Sequence, residues 1–123
     1  MYDHIGLRVK DLSASVRFYE AALAALGYEQ TSGDASSAGF GSEGSTGLWL
    51  ARAPGAGERG AHLAFRAVDR ASVERFYKKG IAAGGRDNGA PGLRADYAPT
   101  YFAAFLVDPD GNNVEAVCLA EEK

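Results

Sequence analysis

The sequence predicts an α+β fold: two tandem βαβββ modules forming a curled mixed sheet around a cleft. Two observations carry this. The chain repeats itself without gaps at an offset of 58 residues, so that His4-Ile-Gly-Leu-Arg8 returns as His62-Leu-Ala-Phe-Arg66, Asp11 as Asp69, Arg17-Phe18-Tyr19 as Arg75-Phe76-Tyr77 and Gly27 as Gly85. A long period that occurs only twice suits a duplicated supersecondary module closing on its twin, because a solenoid needs at least three stacked units. Within each copy a stretch with the period of a strand also precedes one with the period of a helix.

In module one, residues 1–52, positions 4–9 place Ile5, Leu7 and Val9 on one face and His4, Gly6 and Arg8 on the other, the alternation of a half-buried strand. Asp11 or Ser13 offers an N-cap, and Leu12, Val16, Tyr19, Leu23 and Leu26 follow at helical spacing up to Gly27, a C-terminal stop. Strands follow near 28–32, 37–41 and 46–52, separated by Ser/Gly-rich turns. Residues 53–60 are rich in Gly and Ala and read as a linker. Module two, residues 61–119, opens with a strand at 62–67 and a helix at about 71–83 carrying Val73, Phe76, Tyr77 and Ile81 on one side. After a Gly/Pro-rich stretch at 87–99 come strands at 101–107 and 113–118, joined by the turn Asp108-Pro-Asp-Gly-Asn112.

A chain of 123 residues can bury one core without staples, which suits a single domain over 1–123. Apolar content of 46% with 24% charged residues is that of an ordinary globular protein. A net charge of −3 and the lack of a basic run argue against nucleic acid or an anionic membrane as partner. No apolar stretch approaches the ~20 residues of a membrane helix, and no signal sequence opens the chain, so a cytoplasmic location is expected. The lone Cys118 fits a reducing compartment and has no CxxC partner.

If each helix covers the apolar row of its sheet, His4 and His62 point to the opposite face. In the last strand Val114, Ala116 and Cys118 form the apolar row, which sends Asn113, Glu115 and Val117 to the histidines' side. Two imidazoles and a carboxylate on converging strands are the facial ligand set for a divalent ion with open positions; Fe suits it, and Mn, Ni, Co or Zn are also allowed. Asp108-Pro-Asp-Gly-Asn112 superficially resembles a calcium loop, but Leu119 stands where the bidentate glutamate is needed. It reads as a turn.

At these residues the chain resembles the vicinal oxygen chelate superfamily, which includes glyoxalase I, extradiol dioxygenases and bleomycin-resistance proteins. The resemblance rests on Asp3-His4-Ile5-Gly6-Leu7, on the helix from Asp11-Leu12 to Phe18-Tyr19, on Ala61-His62-Leu63-Ala64-Phe65, and above all on the run from Asp108 to Glu115. It implies metal ligands at His4, His62 and Glu115, a substrate chelating the ion through adjacent oxygens, and a homodimer. Modules of such proteins pair within a chain or are exchanged between chains, and the sequence leaves both open. In four-ligand members the fourth strand of module one supplies a carboxylate; here Trp49 takes that cleft position, which disfavours glyoxalase I proper.

Around this site Trp49, Arg8, Arg66, Arg94 and Phe105 are candidates for substrate contact, and Tyr97 and Tyr101 for a catalytic acid. Arg8 and Arg66 serve equally well as ion-pair partners, and the aromatic residues as packing. The leading expectation is a divalent-metal enzyme of dioxygenase-like or lyase/isomerase-like chemistry on a small oxygen-bearing molecule. The alternative is a metal-free small-molecule binding protein of the bleomycin-resistance kind, whose aromatic walls need no ion.

Overall fold

A computed structural model describes residues 2–55 and 60–121. The elements run β1 (Ile5–Val9), α1 (Leu12–Ala24), β2 (Glu29–Gly33), β3 (Ser37–Ser42), β4 (Ser45–Arg52), β5 (His62–Arg66), α2 (Arg70–Ala82), β6 (Arg86–Leu93), β7 (Phe102–Val107) and β8 (Asn113–Cys118). This is βαβββ twice. Each module forms a four-stranded mixed sheet, in the orders β1-β4-β3-β2 and β5-β8-β7-β6, with first and last strands parallel and the other pairs antiparallel. Of the linker read at 53–60, positions 56–59 lie outside the described residues.

The duplicated aspartates start the duplicated helices. The Asp11 carboxylate accepts from the Ala14 amide at 3.1 Å and that of Asp69 from the Ser72 amide at 2.7 Å, each satisfying a backbone donor that the helix itself leaves unpaired. The stops differ. Gly27 ends α1 with φ +89, whereas after α2 it is Gly84, not Gly85, that takes the left-handed conformation, at φ +104. Gly85 is needed for another reason: a Cβ there would stand 2.4 Å from Phe18 Cε1 and 2.8 Å from the Gly80 carbonyl oxygen.

Leu7, Val9, Phe40, Leu48 and Leu50 of sheet one, and Leu63, Leu106, Val114, Ala116 and Cys118 of sheet two, belong to one core with Phe18, Tyr19, Leu23, Val73 and Phe76 of the helices. The alternation therefore places the apolar rows under the helices as expected, with two exceptions. Ile5 and Ile81, read as core-facing, are each more than a third exposed. Ile5 is at the outer end of an edge strand, and Ile81 stands beside the buried row Val73, Phe76 and Gly80 rather than in it.

The modules meet along α1 and α2 and at the turn before β8. Gly80 lets the helices and β7 close up, since a Cβ there would lie 2.3 Å from Leu106 Cδ1 and 3.7 Å from the Cβ of Ala22. The turn contributes polar bonds. Asp108, buried, accepts from the Tyr19 hydroxyl at 2.6 Å, from the Asn112 amide and side chain at 2.8 and 2.7 Å, and from the Asp110 amide at 2.9 Å. Asp110 in turn accepts from the Lys10 amide at 2.8 Å and the Ser15 hydroxyl at 3.1 Å. The acidic run is thus a turn that joins the two modules.

Part of the Gly/Pro-rich stretch read at 87–99 is strand. Arg86–Leu93 forms β6 on the outer edge of sheet two, with register shifts between Asp87 and Gly89 and between Gly89 and Gly92. An edge strand needs only one side of its ladder, so it tolerates Gly89, Pro91 and Gly92, which would disrupt a central one.

Candidate functional site

The β5–β8 register sets Ala64 opposite Glu115 and His62 opposite Asn113, putting the imidazole and the carboxylate on the sheet face away from the helices. There they meet. His62 Nε2 lies 2.9 Å from Glu115 Oε1, while the other oxygen, Oε2, accepts a short hydrogen bond from the Tyr101 hydroxyl. Asn113 Nδ2 approaches His62 Nδ1 at 3.5 Å. That arrangement suits the tautomer in which Nε2 carries the hydrogen and donates to Glu115.

Glu115 is unusual for a residue on an open sheet face: its side chain is 3% exposed, against 54% for His62. Among the described residues no lysine or arginine pairs with it. A buried carboxylate lacking a full cation is costly, by several kcal/mol before compensation, and here two donors hold it. Burial and the Glu115 carboxylate together push the Tyr101 phenol up to about 12, so Tyr101 remains a proton donor throughout the neutral range.

Three further candidates gather on this face. Phe105 faces Glu115 across the β7–β8 ladder, and its ring lies 6.4 Å from that of His62, edge to face. The Arg94 guanidinium stands 5.4 Å from the Phe105 centroid. Tyr97 packs edge-on to Tyr101 at 5.1 Å and is otherwise exposed. Of the sequence-read set, then, His62, Glu115, Tyr97, Tyr101, Arg94 and Phe105 form one cluster on sheet two. Arg66 is exposed at the far end of β5.

Sheet one carries the rest. His4, half exposed, bonds its neighbour Asp3 at 2.7 Å and does not join His62 and Glu115. Among the described residues no three His, Cys, Asp or Glu side chains come together as a metal-holding group. Arg8 is exposed opposite Ala51. Trp49 pairs with Gly6 and Gly39, and a Cβ on Gly39 would lie 3.0 Å from the indole, so the ring rests over bare backbone. Since Gly6 and Ala64 are equivalent in the duplication, Trp49 holds in sheet one the place Glu115 holds in sheet two.

The His62–Glu115 pair fits a divalent ion in one respect that can be checked. An imidazole and a carboxylate, here paired by a hydrogen bond of 2.9 Å, are donor types that a divalent ion accepts. Sequence reasoning missed the hold that Tyr101 has on Glu115, although alternation from Phe105 back through Ala103 already placed Tyr101 on that face. A separate groove of about 1090 Å³, lined by Lys10, Asp11, Gln30, Asp34 and Arg52 among others, contains none of these residues.

Residues 2–116 match the family described as the Glyoxalase/Bleomycin resistance protein/Dioxygenase superfamily. Among solved structures, a glyoxalase/bleomycin resistance protein from Albidiferax ferrireducens T118 is similar at 29% identity and a TM-score of 0.82, covering 96% of this chain and 98% of that one. A glyoxalase-related enzyme from Fulvimarina pelagi has 19% identity and a TM-score of 0.74, with coverage of 96% and 87%. A lactoylglutathione lyase from Agrobacterium tumefaciens has 19% identity and a TM-score of 0.70, with coverage of 96% and 92%. The last two likenesses are of fold alone. No curated protein matches the chain.

Proposed function

The chain belongs to the Glyoxalase/Bleomycin resistance protein/Dioxygenase superfamily, and on that premise we propose that it is a divalent-metal-dependent enzyme acting on a small oxygen-bearing molecule. The reaction is dioxygenase-like or lyase/isomerase-like, and His4, His62 and Glu115 are the ligands. The observation that carries the reading is the buried Glu115 carboxylate, held between His62 and Tyr101 on an otherwise open sheet face. A group of this kind serves a purely structural role poorly, because a hydrophobic residue there would avoid the desolvation cost.

Fe, Mn, Zn, Ni and Co all suit the donor types. When bound, such an ion polarises substrate oxygens and activates them toward attack or proton loss. The chain's own residues do the rest. Tyr101 restrains Glu115 through Oε2, leaving Oε1 beside His62 Nε2, and His62 must give up its Nε2 proton to ligate. Because His4 stands on the other sheet of its own chain, we read the protein as a homodimer in which His4 of a second copy completes the set. Residues 1–123 form one domain in this reading, and a cytoplasmic location is part of it, supported by the single cysteine, Cys118, which has no disulfide partner.

Elemental analysis after anaerobic purification and reconstitution tests this, on wild type and on the His4→Ala, His62→Ala and Glu115→Ala proteins. We expect about one ion per chain, lost in each variant. Mixed dimers of His4→Ala and His62→Ala chains recover one of their two sites. Absence of metal from wild type overturns the reading in favour of a second one: a metal-free binding protein of the bleomycin-resistance kind, favoured by Trp49 standing where a fourth ligand would be.

A further inference from the structure

Arg94 stands beside Phe105, which faces Glu115 across the β7–β8 ladder. It follows directly on β6, whose two register shifts bring Gly89 and Gly92 beneath the guanidinium. A Cβ on Gly89 would stand 3.2 Å from Nη2 and one on Gly92 3.1 Å from Nη1, so both positions are kept bare at the place the side chain crosses. Nη2 donates to the Ala90 carbonyl at 2.8 Å, and the Phe105 ring supports the group from one side. The backbone is fixed too: the Arg94 amide donates to the Tyr101 carbonyl at 2.7 Å, and the Tyr97 amide to the Arg94 carbonyl at 2.9 Å. One closed loop therefore sends Tyr101 to Glu115 and Arg94 to Phe105, on a single face.

What this arginine lacks is an acid. Among the described residues no carboxylate lies within ion-pairing distance of it. A guanidinium has five N–H donors, and its planar fork matches a carboxylate edge to edge. A half-buried arginine set in a tailored cradle, with most donors unclaimed, is a receptor for an anion. The guanidinium and the His62 imidazole border the same Phe105 ring, at 5.4 and 6.4 Å from its centroid.

We propose that Arg94 binds the carboxylate of the substrate, and that the substrate is a small organic acid whose reacting oxygens face His62 and Glu115. This rests on the His62–Glu115 face being the binding site. A neutral molecule of the same shape leaves the fork unpaired.

The test is calorimetric titration of the full chain at fixed ionic strength with benzoate, mandelate and cinnamate, each against its own amide. The amides keep the shape and remove the charge. At least one acid is expected to bind wild type about tenfold or more tighter than its amide, with Arg94→Gln abolishing the difference and Arg94→Lys keeping part of it. Equal affinity for every pair in wild type, or a preference that survives in Arg94→Gln, overturns the proposal. Should the Gln variant fail to fold, the Arg94 Nε–H resonance of wild type decides: a shift with the acid and not with the amide supports the assignment, and no shift overturns it. Metal content measured on the same samples separates the two readings. An Arg94-dependent preference in a chain that takes up no metal overturns the metal reading alone, and full metal with no preference overturns this one alone.

Discussion

The hydroxyl of Tyr19, on the first helix, donates to the carboxylate of Asp108, in the turn before the last strand, at 2.6 Å across the joint between the modules. Both side chains are fully buried. The turn that announced the chain's relationships most clearly is therefore a fastening between its halves, and the nearest ligand candidate, Glu115, begins where that fastening ends. Asp108 accepts four hydrogen bonds, so Asp108→Ala strands several buried donors at once. We expect a loss of about 3 kcal/mol or more, and about 2 kcal/mol for Tyr19→Phe, read from urea unfolding at constant m.

Alkaline pH acts on Tyr19 and Tyr101 in one direction. Burial raises the Tyr19 phenol, helped by Asp108, and burial with the Glu115 bond raises Tyr101 to about 12 from an ordinary value of about 10. The unfolded chain gives up these protons first, so their contribution to stability is complete below pH ~10 and falls as pH rises toward and beyond ~12. Tyrosinate absorbance of the native protein should show late-titrating phenols, one fewer in Tyr101→Phe. Ordinary titration of every tyrosine in the native state would contradict the hydrogen-bond assignments.

Tyr101→Phe also frees Oε2 of Glu115. On the metalloenzyme reading the carboxylate then loses its fixed orientation, and affinity for the ion should drop by about 10- to 100-fold while the fold persists. Competition with a chelator measures this. Unchanged affinity would confine Tyr101 to packing.

Asp69 offers a check at the acid end. Hydrogen bonds from the Ser72 side chain and amide hold its carboxyl below the ordinary 3.8. Its contribution is therefore present above that value and disappears as pH falls through the lowered one. Asp69→Ala should lower stability at neutral pH and flatten the acid limb of the pH profile. A steeper limb in the variant would contradict the cap.

Gly80→Ala sets two effects against each other. The helix gains about 1 kcal/mol in propensity, but the new methyl meets Leu106 Cδ1 at 2.3 Å inside a fully buried core, where overpacking costs roughly 1–3 kcal/mol. The clash should win, giving a small net destabilisation by thermal unfolding. Stabilisation would mean that Leu106 has room to move.

Much of this was legible from the residues. Helical spacing placed both helices to within a residue or two of their starts, with Asp11 one of two N-caps offered for the first, and alternation located the faces of β1, β5 and β8. Alternation could not reveal β6, because Gly89, Pro91 and Gly92 erase the pattern of an edge strand. It also could not say which sheet faces which: a period of two fixes the side of a sheet on which His4 and His62 stand, while the relation between sheets depends on how α1 packs on α2. Glycine was the least readable element, since Gly84 takes the turn and Gly85 the close contact, and both look alike in sequence.

Trp49 and Glu115 occupy matching places in the two halves. An assembly of two separate, identical modules would have to put the same residue at both, two acids or two indoles. Fusion into one chain frees each copy to change alone. The covalent link thus lets the twins differ, giving one a buried carboxylate and the other an indole at the same place, while Ala22 and Gly80 divide the close contact between their helices in the same unequal way.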